Sequence, residues 1–137
     1  MIVDSSVIIA ILRNEPGAAA LAEALQEAPI RHISAVTYVE AAVVADNDRN
    51  PLLSRRFDGL VRNAQMLVEP VTAKQAELAR QAYRDFGKGR HKAGLNLGDC
   101  FAYALAKEMD EALLFKGDDF CHTDVEAAAD ARDRNQI

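Results

Sequence analysis

Four short apolar runs, separated by longer stretches at helical spacing, restrict this chain more than any other feature. The runs are Ile2–Val3, 31–33, 66–68 and 112–115. Strands this short, joined by helical segments, imply right-handed crossovers and a mainly parallel sheet covered on both faces. In such sheets, binding and catalytic groups gather at the carboxyl ends of the strands. The expected fold class is therefore α/β. With 137 residues, half of them hydrophobic, and no repeat or linker, a single domain is expected.

The helices between the runs carry recognisable ends. Ser5 or Ser6 is expected to cap a helix running to Arg13, with Pro16-Gly17 as punctuation. Leu21 and Leu25 mark a helix over 18–27, which Pro29 stops. Ser34 caps a helix over 35–45, and a polar break at 47–51 precedes another helix over 52–64. Thr72 caps the next, to about Phe86, with Gln75 as capping-box partner. A glycine- and base-rich loop over 87–95 leads to a helix that starts at Asn96 or Leu97 and reaches about Met109. The tail beyond about residue 126 is expected to fray.

Against this frame the acids stand out. Asp4 closes the first apolar run, Glu40 sits inside AVTYVEAAVVA, Asp99 opens an apolar helix, and Asp118-Asp119 follow the last run. An inward carboxylate is costly to desolvate without a positive partner. Several at the ends of different core elements suggest one shared partner, and a hard divalent cation held through oxygen is the simplest. Each acid also has a plainer explanation. Asp4 suits a helix cap; Asp99 suits the positive end of a helix; Tyr38 could satisfy Glu40, whose neighbours Val36, Val39, Val43 and Val44 lie on the apolar side. One of Asp118 and Asp119 should face solvent. Asp124 is a cap or an outer ligand. His32, His91 and His122 have no partners at zinc-ligand spacing.

Net charge is −5, which argues against a uniformly basic nucleic-acid binder. Bases nevertheless cluster, at Arg55, Arg56 and Arg62 and again at Lys88, Arg90, His91 and Lys92. The second cluster, beside the Asp99 helix, is expected to form a locally positive rim that can meet the phosphates of a polyanion. Cys100 and Cys121 are too few for a disulfide framework; Cys100 reads as a small buried hydrophobe. No apolar run approaches the ~20 residues of a membrane span, and a soluble, cytoplasmic protein is expected.

The stretches IVDSSVIIAIL, SAVTYVEAAVV, GKGRHKAGLNLGDCFAYALAK and LLFKGDDFCHTDV together strongly resemble PIN-domain ribonucleases, and more narrowly the VapC toxins of VapBC toxin–antitoxin pairs. The resemblance spans roughly residues 1–125. It implies one PIN domain, an α/β/α sandwich with a four- or five-stranded mainly parallel sheet. It also implies a toxin that is a Mg²⁺-dependent endoribonuclease (Mn²⁺ possible) acting on structured RNA such as tRNA or rRNA. A homodimer and a neutralising VapB antitoxin are implied as well, with apolar residues of the first two helices and of 52–60 as candidate surfaces.

In that resemblance Asp4 and Asp99 match the metal ligands, and Glu40 joins the catalytic set. Gly117 stands where many relatives carry an Asp, leaving Asp119 as first choice for the fourth acid, Asp118 as second and Asp124 as auxiliary. Ser6 would donate to a ligating carboxylate or cap its helix. Hydrolysis by water implies 5′-phosphate and 3′-hydroxyl ends. Two rivals remain: a non-catalytic RNA- or partner-binding module, and a phosphoryl-transfer domain with Asp4 as nucleophile. The second wants another acid two residues on, where this chain has Ser6.

Overall fold

The computed structural model describes residues 1–128. In chain order its elements are β1 (Ile2–Val3), α1 (Ser5–Leu12), α2 (Ala18–Glu27), β2 (His32–Ser34), α3 (Ala35–Asp46), α4 (Leu52–Asn63), β3 (Leu67–Glu69), α5 (Ala73–Phe86), α6 (Leu97–Met109) and β4 (Leu113–Leu114), followed by a 3₁₀ turn at Asp119–His122. The four strands form one parallel sheet in the order β3-β2-β1-β4. The chain moves outward from β1 through β2 to β3, then returns to place β4 on the other side of β1. That reversal makes the carboxyl ends of β1 and β4 the crevice where such sheets bind ligands.

Side chains alternate across a strand, so even two residues can serve both faces. Ile2 and Leu113 pack with Ala79, Ala82, Tyr103 and Leu105 from α5 and α6. Val3, Ile33 and Leu114 pack with Val7, Ile8, Leu25 and Phe57 from α1, α2 and α4. Ile2, Val3, Leu113 and Leu114 are all fully buried. At about 1.5–3 kcal/mol for each large apolar side chain buried, these four positions supply much of what fixes the strand register.

The expected α/β architecture is present, with local differences. Asp4, rather than Ser5 or Ser6, caps α1. Ser34 and Thr72 cap α3 and α5 as expected, but Gln75 does not complete a capping box. It is buried, and its amide donates to the Pro70 carbonyl at 3.3 Å. On α3 the small residues Thr37, Ala41 and Ala45 face the core at four-residue spacing, while Val39 and Val43 point outward. Strand β3 lies at the sheet edge, which leaves Leu67 and Val68 half-exposed.

Two further contacts shape the ends of elements. Arg31, just before β2, donates to the carbonyls of Leu25, Ala28 and Ala64, satisfying orphan acceptors where α2 and α4 end. Beyond β4, Leu113 donates to the Glu126 carbonyl at 2.8 Å and accepts from Ala128 at 3.0 Å, extending the sheet by a parallel bridge. The tail expected to fray continues over 129–137, outside the described residues. Among the described residues, no helix is long and apolar enough to cross a membrane.

Candidate active site

Asp4 follows β1 directly, with extended backbone angles that let it serve as the first cap of α1. It is almost fully buried. One oxygen, Oδ2, accepts from the Ser6 amide at 3.1 Å and from the Ser6 hydroxyl at 2.6 Å. The other, Oδ1, is buried without a partner. The capping and ligand explanations of this residue are thus compatible, one oxygen for each. Ser6 Oγ in turn accepts from the Lys116 amide at 3.0 Å, so one hydroxyl ties the exits of β1 and β4 together.

Glu40 is half-buried on α3, with Oε1 enclosed and unpartnered. Tyr38 does not provide for it, since its ring packs on Phe57 at 5.2 Å. Asp99 lies in the first turn of α6 and forms a capping box with Asn96. Its Oδ2 accepts from the Asn96 amide at 3.1 Å, and its own amide donates to Asn96 Oδ1 at 2.8 Å. Asp119 is exposed at the start of the 3₁₀ turn, which buried Phe120 anchors against Phe115 at 5.3 Å. Gly117 has φ +96, a region that favours glycine, so the residue at that position serves the turn.

These four acids act on one another. Burial, reinforced by Asp119, raises the Asp4 pKa against the pull of the Ser6 and Ser5 hydrogen bonds. Burial and then Asp4 raise Glu40, with Ser5 opposing. Asp99 is pushed up to about 7, first by burial and then by the charges of Asp4, Glu40 and Asp119. Asp4, Glu40, Asp99 and Asp119 are thus within electrostatic reach of one another. Asp118 and Asp124 do not figure among the charges that raise them.

Asp124 has partners of its own. It accepts from the Tyr103 hydroxyl at 2.6 Å and pairs with Lys107 at 2.9 Å, tying the segment after the 3₁₀ turn to α6. Burial would raise its pKa, but these two partners outweigh it and hold it low. His32 pairs with Glu69 at 2.9 Å, well removed in role from the acids, and Cys100 and Cys121 are both free.

Among the described residues no three acidic, histidine or cysteine side chains are set together as a metal cage. The donor chemistry nevertheless fits a hard divalent cation: carboxylate oxygens only, two of them buried and unpartnered, on groups that repel one another. Lys116, the base that follows β4, is paired with Glu15 at 3.0 Å.

Lys88, Arg90 and Lys92 are exposed on the 87–95 loop, whose base is closed by Lys88 donating to Leu95 and Leu95 to Phe86, both at 2.9 Å. His91 does a different job from its neighbours. Its Nδ1 accepts from the Ala93 amide at 3.0 Å and its ring meets Phe86 edge-on, so it is tied into the shape of the loop. A groove of about 670 Å³ between α1 and α3 is lined by Ser5, Ile9, Val36, Val39, Glu40 and Val43.

Sequence reasoning missed two participants. One is the Lys116 amide, a backbone donor that no residue type announces. The other is Gly98, whose signal was a glycine inside an otherwise continuous helical pattern. A Cβ at that position would overlap the Glu40 carboxylate.

The PIN-domain family model matches residues 1–126. Ribonuclease VapC28 of Mycobacterium tuberculosis is 56% identical over 133 residues, 96% of this chain and 100% of that protein. Among solved structures, the M. tuberculosis toxin VapC20, described as cleaving the sarcin-ricin loop, superposes with TM-score 0.75 at 13% identity, covering 93% of this chain and 97% of the other. A toxin–antitoxin complex from Klebsiella pneumoniae gives TM-score 0.70 at 18% identity, covering 93% and 95%. At such identities these two structures bear on the fold alone.

Proposed function

Because this chain belongs to the PIN-domain family, as a ribonuclease of the VapC type, we propose that Asp4, Glu40, Asp99 and Asp119 are the carboxylates with which it hydrolyses RNA phosphodiester bonds. The observation that carries this assignment is the buried, unpartnered Asp4 Oδ1 amid acids that raise one another at the β1–β4 crevice. Asp4 and Asp99 would hold Mg²⁺, or Mn²⁺ in its place. Such an ion, when bound, supplies charge stabilisation to a phosphate and makes water acidic near neutrality.

The chain's own residues do the rest. Ser6 occupies Asp4 Oδ2, which leaves Oδ1 as the oxygen that would hold an ion. Asn96 performs the same service for Asp99. Glu40 would complete a cation site beside Asp99 or accept the proton of the attacking water, a task its raised pKa suits. Asp119, on an exposed turn, orients that water or completes a second site. Lys88, Arg90 and Lys92 hold backbone phosphates of a structured RNA such as tRNA or rRNA, while His91 keeps the loop in shape. Attack by water leaves 5′-phosphate and 3′-hydroxyl ends; 2′,3′-cyclic phosphate ends would overturn this mechanism.

The protein acts in the cytoplasm as the toxin of a type II pair, as a homodimer neutralised by a VapB-type antitoxin. The apolar α1–α3 groove, which Glu40 helps to line, supports such a partner, because a chain seated there would cover that carboxylate. The test is cleavage of total tRNA and rRNA by the purified protein with Mg²⁺, Mn²⁺ or EDTA, beside Asp99→Asn purified identically. Metal-dependent cuts that disappear in the variant support the function. Equal cutting by both proteins means contamination, and no cutting by either favours a binding module.

A further inference from the structure

Glycine is a poor helix former, and Gly98 occupies the second position of α6 with no left-handed backbone angle to require it. The reason lies across the helix interface. Gly98 is buried, and a Cβ built on it would fall on the Glu40 carboxylate, overlapping its carbon and both oxygens. Glu40 thus lies directly on the backbone of the first turn of α6, next to Asp99. We infer that Gly98 is a positioning residue, whose missing side chain lets the Glu40 carboxylate reach α6 and join Asp99 in a divalent-cation site.

The inference rests on the proposed role of Glu40 and adds a residue that touches neither ion nor RNA. The obstructed atoms are the far end of a flexible side chain, so Gly98→Ala should fold with Glu40 swung aside, and alanine should favour the helix. Residues that orient metal ligands typically alter metal affinity by about 10–100-fold when changed.

The experiment is a double-mutant cycle of Gly98→Ala and Glu40→Ala on the full chain, reading Mn²⁺ affinity by titration, melting temperature in EDTA, and RNA cleavage. Gly98→Ala alone should weaken Mn²⁺ binding by at least about tenfold without lowering the EDTA melting temperature. In the Glu40→Ala background the same change should leave Mn²⁺ affinity unaltered and raise the melting temperature. An unchanged Mn²⁺ affinity in Gly98→Ala, or an equal loss in both backgrounds, overturns the inference while the function stands. Failure of the unsubstituted protein to bind Mn²⁺ overturns both.

Discussion

Replacing Asp99 by Asn should stabilise the metal-free protein at pH 8, although it removes a helix-capping acid. Asp99 ionises at about 7 in the folded chain against 3.8 as its ordinary value. A carboxyl raised in the folded state keeps its proton where the unfolded chain has lost it. The stability it costs is therefore absent below about pH 4, grows as pH rises through 7, and is fully present at pH 8. Roughly three units at about 1.4 kcal/mol each set a ceiling of about 4 kcal/mol. Asp99 is only half-buried, and solvent screening brings this to about 1–2 kcal/mol. Loss of the negative charge at the start of α6 opposes by about 0.5 kcal/mol. The net gain is about 1 kcal/mol at pH 8, or roughly 3–5 °C, vanishing or reversing near pH 5. Thermal melts of both proteins in EDTA across this range test it. A variant less stable than the parent at pH 8, or a difference that does not change with pH, would refute the account of Asp99 as a charge strained by its neighbours.

Other perturbations separate the site from its scaffold. Saturating Mg²⁺ or Mn²⁺, at about 100 times its Kd, should add about 2.7 kcal/mol to the unsubstituted protein at pH 7.5 and much less to Asp99→Asn; equal shifts in denaturant midpoint would place the ion elsewhere. Arg31→Met should cost about 2–4 kcal/mol in urea unfolding, since three helix-terminal carbonyls lose their charged donor; a loss under 1 kcal/mol would show that water replaces it. Tyr103→Phe should cost about 1–2 kcal/mol and leave Mn²⁺ affinity unchanged, because the hydroxyl holds Asp124, which also pairs with Lys107. Changing Lys88, Arg90 and Lys92 together to Gln should weaken RNA binding and flatten its salt dependence by about 0.7 for each phosphate no longer neutralised; an unchanged slope rules out a phosphate grip.

Much of this was legible in the chain. The short apolar runs alternate with helical segments because a strand buried on both faces needs no polar positions, and that pattern survives without knowledge of any contact. Ser34 and Thr72 announced their helices because capping is local chemistry within three residues. Asp4, Glu40, Asp99 and Asp119 drew notice because acids at the ends of apolar runs are costly to bury. What failed was choosing between neighbours. Asp4 and Ser6 compete for one cap, and the outcome depends on Lys116, 110 residues away. The apolar side of α3 was misjudged because valines read as core, while the interface accepts Thr37, Ala41 and Ala45 and leaves Val39 and Val43 outside.

The sequence by itself determined the α/β class, nearly every element, and which carboxylates stand at the ends of core segments, since these follow from local propensity and the cost of burying charge. Only the tertiary structure decided which of those acids raise one another's pKa, that Asp124 bonds Tyr103 and Lys107, and that a Cβ on Gly98 would meet Glu40. Those facts depend on distances between residues far apart in the chain, and such distances exist only once the sheet has ordered its strands.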